Sequence, residues 1–119
     1  MLKLGENQKM VNVVGDQIGA PTYTADLAEL LCDMVISDKY GIYHATNEGV
    51  CSWAEFAEEI FKQAKLLVKV DYISSDTYQT KAKRPKNSRL SKRELEKNGF
   101  KKLPIWQDAL RRYLSELQC

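Results

Sequence analysis

Short β-rich runs alternate with helical hydrophobic patterns along this 119-residue chain. The sequence predicts strands over residues 11–14, 41–46 and 68–73, and helices over residues 24–37, 52–64, 91–98 and 104–117. Strands that alternate with helices favour α/β layers over a helical bundle. Three strands are few for an independent sheet, so we expect them to extend a larger one.

Helix boundaries are marked by local signals. The pattern Ser-x-x-Glu begins at Ser52 and again at Ser91, and each occurrence predicts a capping box. Gly5 and Gly99 are expected to end helices, because glycine adopts the backbone conformation that commonly follows a last turn. Pro104 is expected to open the last helix, where its missing N–H costs nothing.

Three helices carry apolar residues at helical spacing, which predicts a buried stripe on each. The expected stripes are Leu27, Leu30, Leu31, Met34 and Val35; then Trp53, Phe56, Ala57, Ile60, Phe61 and Ala64; then Trp106, Leu110, Tyr113, Leu114 and Leu117. Trp53 and Trp106 are therefore interpreted as packing residues rather than sugar-stacking platforms. His44, the one histidine, is expected in the second strand with a structural role.

Composition narrows the class of protein. A hydrophobic content of 44% permits a core, and a net charge of +2 does not by itself imply a nucleic-acid binder. The sequence contains no apolar run long enough for a membrane helix and no signal-peptide pattern. Cys32, Cys51 and Cys119 lack metal-like spacing, so free thiols in a reducing cytoplasm are expected rather than a zinc site with His44.

A basic segment covers residues 81–93, with seven Lys or Arg side chains and no acid. Such a segment holds a diphosphate, contacts nucleic acid, or is simply a solvated loop. Pro85 would hold Arg84 extended. Asp16 and Gln17 follow the first strand, so Gln17 could donate to a sugar or phosphate oxygen, or both could cap a turn.

Three segments, in order and spacing, resemble the C-terminal part of the dTDP-4-dehydrorhamnose reductase family, which are extended short-chain dehydrogenases/reductases. The segments are residues 16–28, which begin Asp-Gln-Ile-Gly-Ala-Pro-Thr-Tyr, residues 41–57, which begin Gly-Ile-Tyr-His-Ala-Thr-Asn-Glu-Gly, and residues 84–90, which begin Arg-Pro-Lys-Asn-Ser. The resemblance implies the C-terminal portion of a Rossmann-like NAD(P)-binding fold with its smaller mixed α/β substrate-binding domain. Residues 1–119 would form the substrate-binding segment, and the N-terminal dinucleotide-binding part would be absent.

The resemblance also implies a function for the parent enzyme, which would reduce dTDP-4-dehydro-L-rhamnose to dTDP-L-rhamnose for polysaccharide synthesis. NADPH or NADH would serve as cofactor, and some members form a homodimer with a magnesium ion. Arg84, Gln17 and Lys86 become the candidate substrate-binding residues, with Arg84 on the diphosphate.

The chain lacks the reductase's catalytic signature. No tyrosine here is followed by a lysine four residues later, and no glycine-rich phosphate loop is present. We therefore expect no catalytic, cofactor-binding or metal-binding residue in this chain, and no turnover by it alone. Two alternatives stay open: a non-catalytic regulatory subunit of the methionine adenosyltransferase type, and an enzyme on another nucleotide sugar.

Overall fold

The structure, a computed structural model, describes residues 1–78 and 80–118. Helices and strands are interspersed along the chain, as the sequence predicts. They follow the order α1 (Leu2–Asn7), β1 (Met10–Val14), β2 (Ile18–Gly19), α2 (Thr24–Val35), β3 (Asn47–Glu48), β4 (Cys51–Ser52), α3 (Trp53–Gln63), β5 (Lys69–Ile73), α4 (Arg93–Lys97), β6 (Leu103–Ile105) and α5 (Trp106–Leu117).

The chain divides into two compact units. The first comprises Met1–Gly19 and Cys51–Ser88 together with Gln118, and the second comprises Ala20–Val50 and Arg89–Leu117. Each unit contains one pair of parallel strands, which confirms the predicted α/β class.

In the first unit, β1 and β5 pair in parallel, from Met10 opposite Lys69 to Val14 opposite Ile73. Helix α3 contacts both strands. The buried residues are those of one hydrophobic face, as expected when a helix covers a strand pair; they include Val11, Val13, Ala57, Ile60, Phe61 and Val70. A short antiparallel pair joins β2 to β4. Strand β2 lies in residues 16–22, where Gly19 and Pro21 predict a loop.

Helix α3 begins as predicted. The Ser52 side chain accepts a hydrogen bond from the Glu55 N–H at 3.1 Å, and the Glu55 carboxylate accepts one from the Ser52 N–H at 2.7 Å. The prediction that Trp53 packs in the core is wrong, because this side chain is 55% exposed. Trp53 is the first residue of the helix and projects outside its buried face.

Helix α1 corrects the prediction for Gly5, which lies inside the helix rather than ending it. A Cβ atom at Gly5 would lie 2.7 Å from Cε1 of Phe61. Glycine therefore lets the α1 backbone approach this buried ring, and close packing rather than helix termination accounts for the residue.

In the second unit, β3 and β6 pair in parallel, and α5 contacts both strands. The core of this unit is an aliphatic cluster of Leu30, Leu95 and Leu103. Trp106 is buried at 6% exposure, which confirms its predicted packing role.

The predicted strand over residues 41–46 is wrong. These residues form no ladder, and the strand is reduced to Asn47 and Glu48, which pair with β6. His44 is exposed rather than buried in a sheet, and Ile42 is 87% exposed. The β-rich composition was misleading because the partner strand reaches only the two residues that follow the run.

Two helix starts also differ from prediction. The N-cap of α4 is Lys92, without a side-chain capping bond, so the predicted box at Ser91 does not form. Pro104 lies within β6, and α5 begins two residues later at Trp106. By contrast, Gly99 ends α4 as predicted: its φ is +75°, and the Phe100 N–H donates to the Leu95 carbonyl at 3.0 Å.

Two predicted apolar stripes are only partly buried. Helix α2 buries Leu30 but leaves Leu31 51% and Val35 82% exposed. Helix α5 buries Trp106, Ala109, Leu110 and Leu114, whereas Tyr113 and Leu117 are about half exposed. The helical period was correct for these segments, but the buried face is narrower than predicted.

Candidate functional site

The first unit contains a cavity of about 310 Å³ next to β1 and α3, which we call the apolar cavity. Its wall is largely hydrophobic, with polar groups at a few positions. The lining residues are Met1, Asn12, Val13, Val14, Gln17, Trp53, Phe56, Ala57, Ile60, Tyr78, Thr80 and Arg84. An apolar wall with a few polar groups is the usual composition of a small-molecule site.

A wider, open cavity of about 790 Å³ lies beside it, which we call the basic cavity. Four of its lining residues are cations, namely Lys81, Lys83, Arg84 and Lys86. Val14, Gln17, Tyr78, Thr80 and Arg84 line both cavities. The two cavities are therefore neighbouring parts of one depression, apolar at one side and cationic at the other.

The three sequence-predicted site residues come together here. Gln17 and Arg84 line both cavities, and Lys86 lines the basic one. Gln17 is half-buried three residues after the end of β1, whereas Arg84 is exposed. Within the described ranges 1–78 and 80–118, no carboxylate lies within ion-pair distance of the Arg84 guanidinium, although Asp76 also lines the basic cavity.

Asp16 caps a turn, which is the role that one of the two hypotheses for Asp16 and Gln17 assigns to it. Its carboxylate accepts hydrogen bonds from the Ser75 N–H at 3.0 Å and the Ser75 hydroxyl at 2.8 Å. Lys86 Nζ lies 3.8 Å from the same carboxylate. The Ser75 hydroxyl above all, aided by Lys86, lowers the pKa of Asp16 below its ordinary value, so this carboxylate is charged at neutral pH.

The loop over residues 74–88, which contains Lys81, Lys83, Arg84 and Lys86, is held at both ends by the segment that follows β1. Asp16 binds its start at Ser75, and Ile18 binds its end: the Ile18 N–H donates to the Lys86 carbonyl and the Ser88 N–H donates to the Ile18 carbonyl, both at 2.9 Å. A Cβ atom at Gly19 would lie 2.7 Å from the Ser88 hydroxyl, so glycine permits this close approach. The cations between these attachments are thereby kept near Gln17.

A polar network in the second unit was not predicted from the sequence. Asp26 is 5% exposed and accepts two hydrogen bonds from Arg112, each at 2.7 Å. Asn47, which is fully buried, donates to Asp26 at 2.8 Å and to the Pro104 carbonyl at 2.9 Å. Asn47 also accepts from the Tyr23 N–H at 2.7 Å, so its side-chain amide joins α2, β6 and the loop before α2.

The electrostatics of this network favour the charged pair. Bidentate bonding from Arg112 is the main cause that lowers the pKa of Asp26, against the opposing effect of burial. The same pairing raises the pKa of Arg112. The network is a structural ion pair of the second unit; the sequence signal for it was limited to Asp26 in the first turn of α2.

No group of three or more His, Cys, Asp or Glu in the described part of the chain could hold a metal ion. Cys32 and Cys51 are free thiols, and Cys119 lies outside the described residues. None of the helices in residues 1–78 and 80–118 has both the length and the apolarity to cross a membrane.

Comparison with known proteins identifies relatives over nearly the whole chain. The sequence matches the family described as RmlD substrate binding domain over residues 1–119. A spore coat polysaccharide biosynthesis protein of Bacillus subtilis (strain 168), SpsK, is 44% identical over 98% of this chain and 40% of its own length. A dTDP-4-dehydrorhamnose reductase of Aggregatibacter actinomycetemcomitans is 39% identical over 93% of this chain and 42% of its own length.

Solved structures agree. A dTDP-4-dehydrorhamnose reductase from Bacillus anthracis, crystallised with NADP, matches 97% of this chain and 40% of its own with a TM-score of 0.90 and 40% identity. A second from Clostridium acetobutylicum matches 99% of this chain and 42% of its own with a TM-score of 0.96 and 36% identity. The predicted fold class, the C-terminal portion of a Rossmann-like enzyme, is thereby confirmed.

The match over residues 1–119 and the identities above 30% settle the relationship. The chain spans about two-fifths of the length of these relatives. This chain belongs to the RmlD substrate-binding domain family.

Proposed function

We propose that this chain is the substrate-binding segment of a dTDP-4-dehydrorhamnose reductase and that it holds the diphosphate of a dTDP-sugar. The observation that carries the proposal is the position of Arg84, whose exposed side chain lines both cavities together with Gln17. Guanidinium groups bind phosphate oxygens through charge-assisted, often bidentate, hydrogen bonds. Two named relatives of this activity, with 39% and 40% sequence identity, support the choice of substrate.

Within this site the three predicted residues have different roles. Arg84 binds the diphosphate, and Gln17 donates from its amide to a sugar or phosphate oxygen. Lys86 contributes positive charge from the rim, but its contribution is smaller because Asp16 lies 3.8 Å from its ammonium. Proximity to a carboxylate offsets part of the attraction that a cation exerts on an anionic ligand.

The parent enzyme would reduce dTDP-4-dehydro-L-rhamnose to dTDP-L-rhamnose in the cytoplasm, for polysaccharide synthesis. We infer NADPH as its cofactor, because the relative from Bacillus anthracis was crystallised with NADP. The cofactor and the catalytic Tyr-x-x-x-Lys pair would belong to parts of the parent enzyme outside residues 1–119, so residues 1–119 alone would bind substrate without turnover. A homodimer and a magnesium ion rest on the family resemblance alone, and nothing observed favours the regulatory-subunit alternative.

Calorimetric titration of dTDP into the 119-residue chain tests this proposal. We expect Arg84→Ala to weaken dTDP binding at least about tenfold, since a hydrogen bond to a charged group contributes about 1.5–3 kcal/mol. Added salt should weaken binding to the unaltered chain, because the site is exposed. Arg93→Ala is the matched control: Arg93 is an exposed arginine on α4 that lines neither cavity.

Two results would contradict the proposal. One is equal dTDP affinity in the unaltered chain and Arg84→Ala. The other is an equal loss in Arg84→Ala and Arg93→Ala, which would indicate general attraction to a basic surface.

A further inference from the structure

Asp16 continues the pairing of β1 with β5 beyond the ends of both strands. The ladder ends where Val14 lies opposite Ile73, and the Gly15 N–H still donates to the Ile73 carbonyl at 3.0 Å. Two residues beyond that last pair, the Asp16 carboxylate accepts from the Ser75 N–H at 3.0 Å and from the Ser75 hydroxyl at 2.8 Å. A side chain therefore keeps the register of the two segments where the backbone ladder has stopped.

The start of the loop over residues 74–88 is a small folded turn. The Thr77 N–H and hydroxyl both donate to the Ser74 carbonyl, at 3.1 Å and 2.7 Å, and the Asp76 N–H donates to the Ser74 hydroxyl at 3.2 Å. These bonds stay within the turn, so they fix its shape but not its position. Asp16 provides the attachment, because its carboxylate binds the turn from the segment that follows β1.

The other end of this loop is attached through the backbone. The Ile18 N–H donates to the Lys86 carbonyl, and the Ser88 N–H donates to the Ile18 carbonyl, both at 2.9 Å. Arg84 is close to this fixed end, whereas on its other side its position depends on the turn that Asp16 holds. A cation on an unfixed backbone binds more weakly, because the loop must then be ordered when the ligand binds.

The charge of Asp16 by itself opposes an anionic ligand. Its carboxylate lies 3.8 Å from Lys86 Nζ and offsets part of the positive charge of that cation. Asp16 lines neither cavity, whereas its partner Ser75 lines the basic one. A favourable contribution of Asp16 to the site would therefore be geometric and would be exerted through the loop.

We infer that Asp16 is a positioning residue for diphosphate binding, because by holding Ser75 it fixes the loop that carries Arg84 before the ligand binds. This inference rests on the proposed function, which places the diphosphate on Arg84. Asp16 acts through Arg84 and not by contact with the ligand. Its contribution is to order the loop in advance, which reduces the entropy lost on binding.

Calorimetric titration of dTDP into variants of the 119-residue chain separates geometry from charge. Asp16→Ala removes both contacts with Ser75 and should weaken dTDP binding about fivefold. Asp16→Asn should retain most of the affinity, because an amide can accept from the Ser75 N–H and donate to its hydroxyl. Asp76→Ala is the matched control: it removes an exposed carboxylate that lines the basic cavity but does not hold the loop, so it should strengthen binding slightly.

A double-mutant cycle shows whether Asp16 acts through Arg84. In Arg84→Ala, the further change Asp16→Ala should have almost no effect on the remaining dTDP affinity, because the group that Asp16 positions is absent. A purely structural role would instead give additive losses in the double variant.

Trypsin gives a second measurement that needs no ligand. Lys81 and Lys83 are cleavage sites within the loop. Asp16→Ala should be cleaved faster at these two lysines than the unaltered chain, at a temperature where circular dichroism shows both to be folded. Ser75→Ala removes the hydroxyl contact but keeps the N–H contact, so it should accelerate cleavage less.

The outcomes distinguish this inference from the proposed function. Undiminished dTDP binding by Asp16→Ala, or cleavage no faster than in the unaltered chain, overturns the inference while the diphosphate site on Arg84 stands. Equal losses in Asp16→Ala and Asp16→Asn overturn it as well, since charge would then be the cause, and so do additive losses in the double variant. An unaltered chain that does not bind dTDP overturns the proposed function and this inference with it.

Discussion

In the second unit, the charge of one buried residue, Asp26, contributes to the stability of the fold. Asp26 is buried, and its carboxylate receives both guanidinium nitrogens of Arg112 and the amide of Asn47. Removing one charge of such a pair leaves the other without compensation in a partly buried place. We therefore expect Asp26→Asn to lower the free energy of unfolding by about 3 kcal/mol.

The same carboxylate gives the stability a defined pH dependence. Because the pKa of Asp26 is lowered in the folded chain, its stabilisation is fully present above the unfolded value of about 3.9. It is lost as the pH falls through the lowered folded value. Urea unfolding between about pH 6 and pH 3 measures both effects, and Asp26→Asn should show a smaller loss on acidification than the unaltered chain.

Asp33→Asn is the matched control for this experiment. Asp33 lies on the same helix, is exposed, and has no ion-pair partner among the residues that the structure describes. Its substitution should leave stability within about 0.5 kcal/mol of the unaltered chain. Equal acid sensitivity in Asp26→Asn and the unaltered chain would show that the ion pair does not stabilise the fold.

At the scale of elements, the pattern Ser-x-x-Glu occurs before α3 and before α4, but it forms a capping box at α3 and not at α4. Ser52 forms a capping box with Glu55, whereas Ser91 precedes the N-cap Lys92 and makes no capping bond. We expect Ser52→Ala to cost about 1 kcal/mol of unfolding free energy and Ser91→Ala almost none. Urea denaturation of the two variants measures the difference, and an equal loss in both would be inconsistent with the α4 start described above.

The difference between Ser52 and Ser91 shows which contacts can be predicted from a local sequence pattern. A capping box is a contact within four residues, so the signal at Ser52 was complete in the local sequence. The start of α4 was not local: Lys92 is fixed by Glu48, whose carboxylate lies 3.2 Å from Nζ, and by the Asn47 carbonyl. These contacts join residues more than forty positions apart, and no local pattern encodes them.

Residues of the candidate site also divide into those that a local sequence pattern predicts and those that depend on contacts between distant segments. Gln17 and Arg84 were predicted because each belongs to a recognisable motif, and the fold brings them to common cavities. Trp53 was misassigned because helical spacing gives the period of an apolar face but not its width. Asn47 was missed because its partners, Tyr23, Asp26 and Pro104, come from three separate segments.

At the scale of the whole molecule, each parallel strand pair has strand edges that no third strand covers among the described residues. Among the residues that the structure describes, β1 ladders with β5 alone, and β3 with β6 alone. Parallel strands normally occur in larger sheets covered on both faces. Unpaired strand edges and exposed apolar side chains promote association, and Met10 on β1 is 53% exposed.

We therefore expect the 119-residue chain to self-associate, so that its mass in sedimentation velocity rises with concentration. Met10→Lys places a charge on the β1 strand and should shift the chain toward the monomer, because charged edge residues oppose edge-to-edge pairing. Leu67→Lys adds the same charge at a 99% exposed loop position and should have a smaller effect. A monomer at every concentration, with cooperative thermal unfolding, would mean that these strand pairs are stable without a further partner. Equal effects of Met10→Lys and Leu67→Lys on association would mean that added charge in general, and not the β1 edge, controls it.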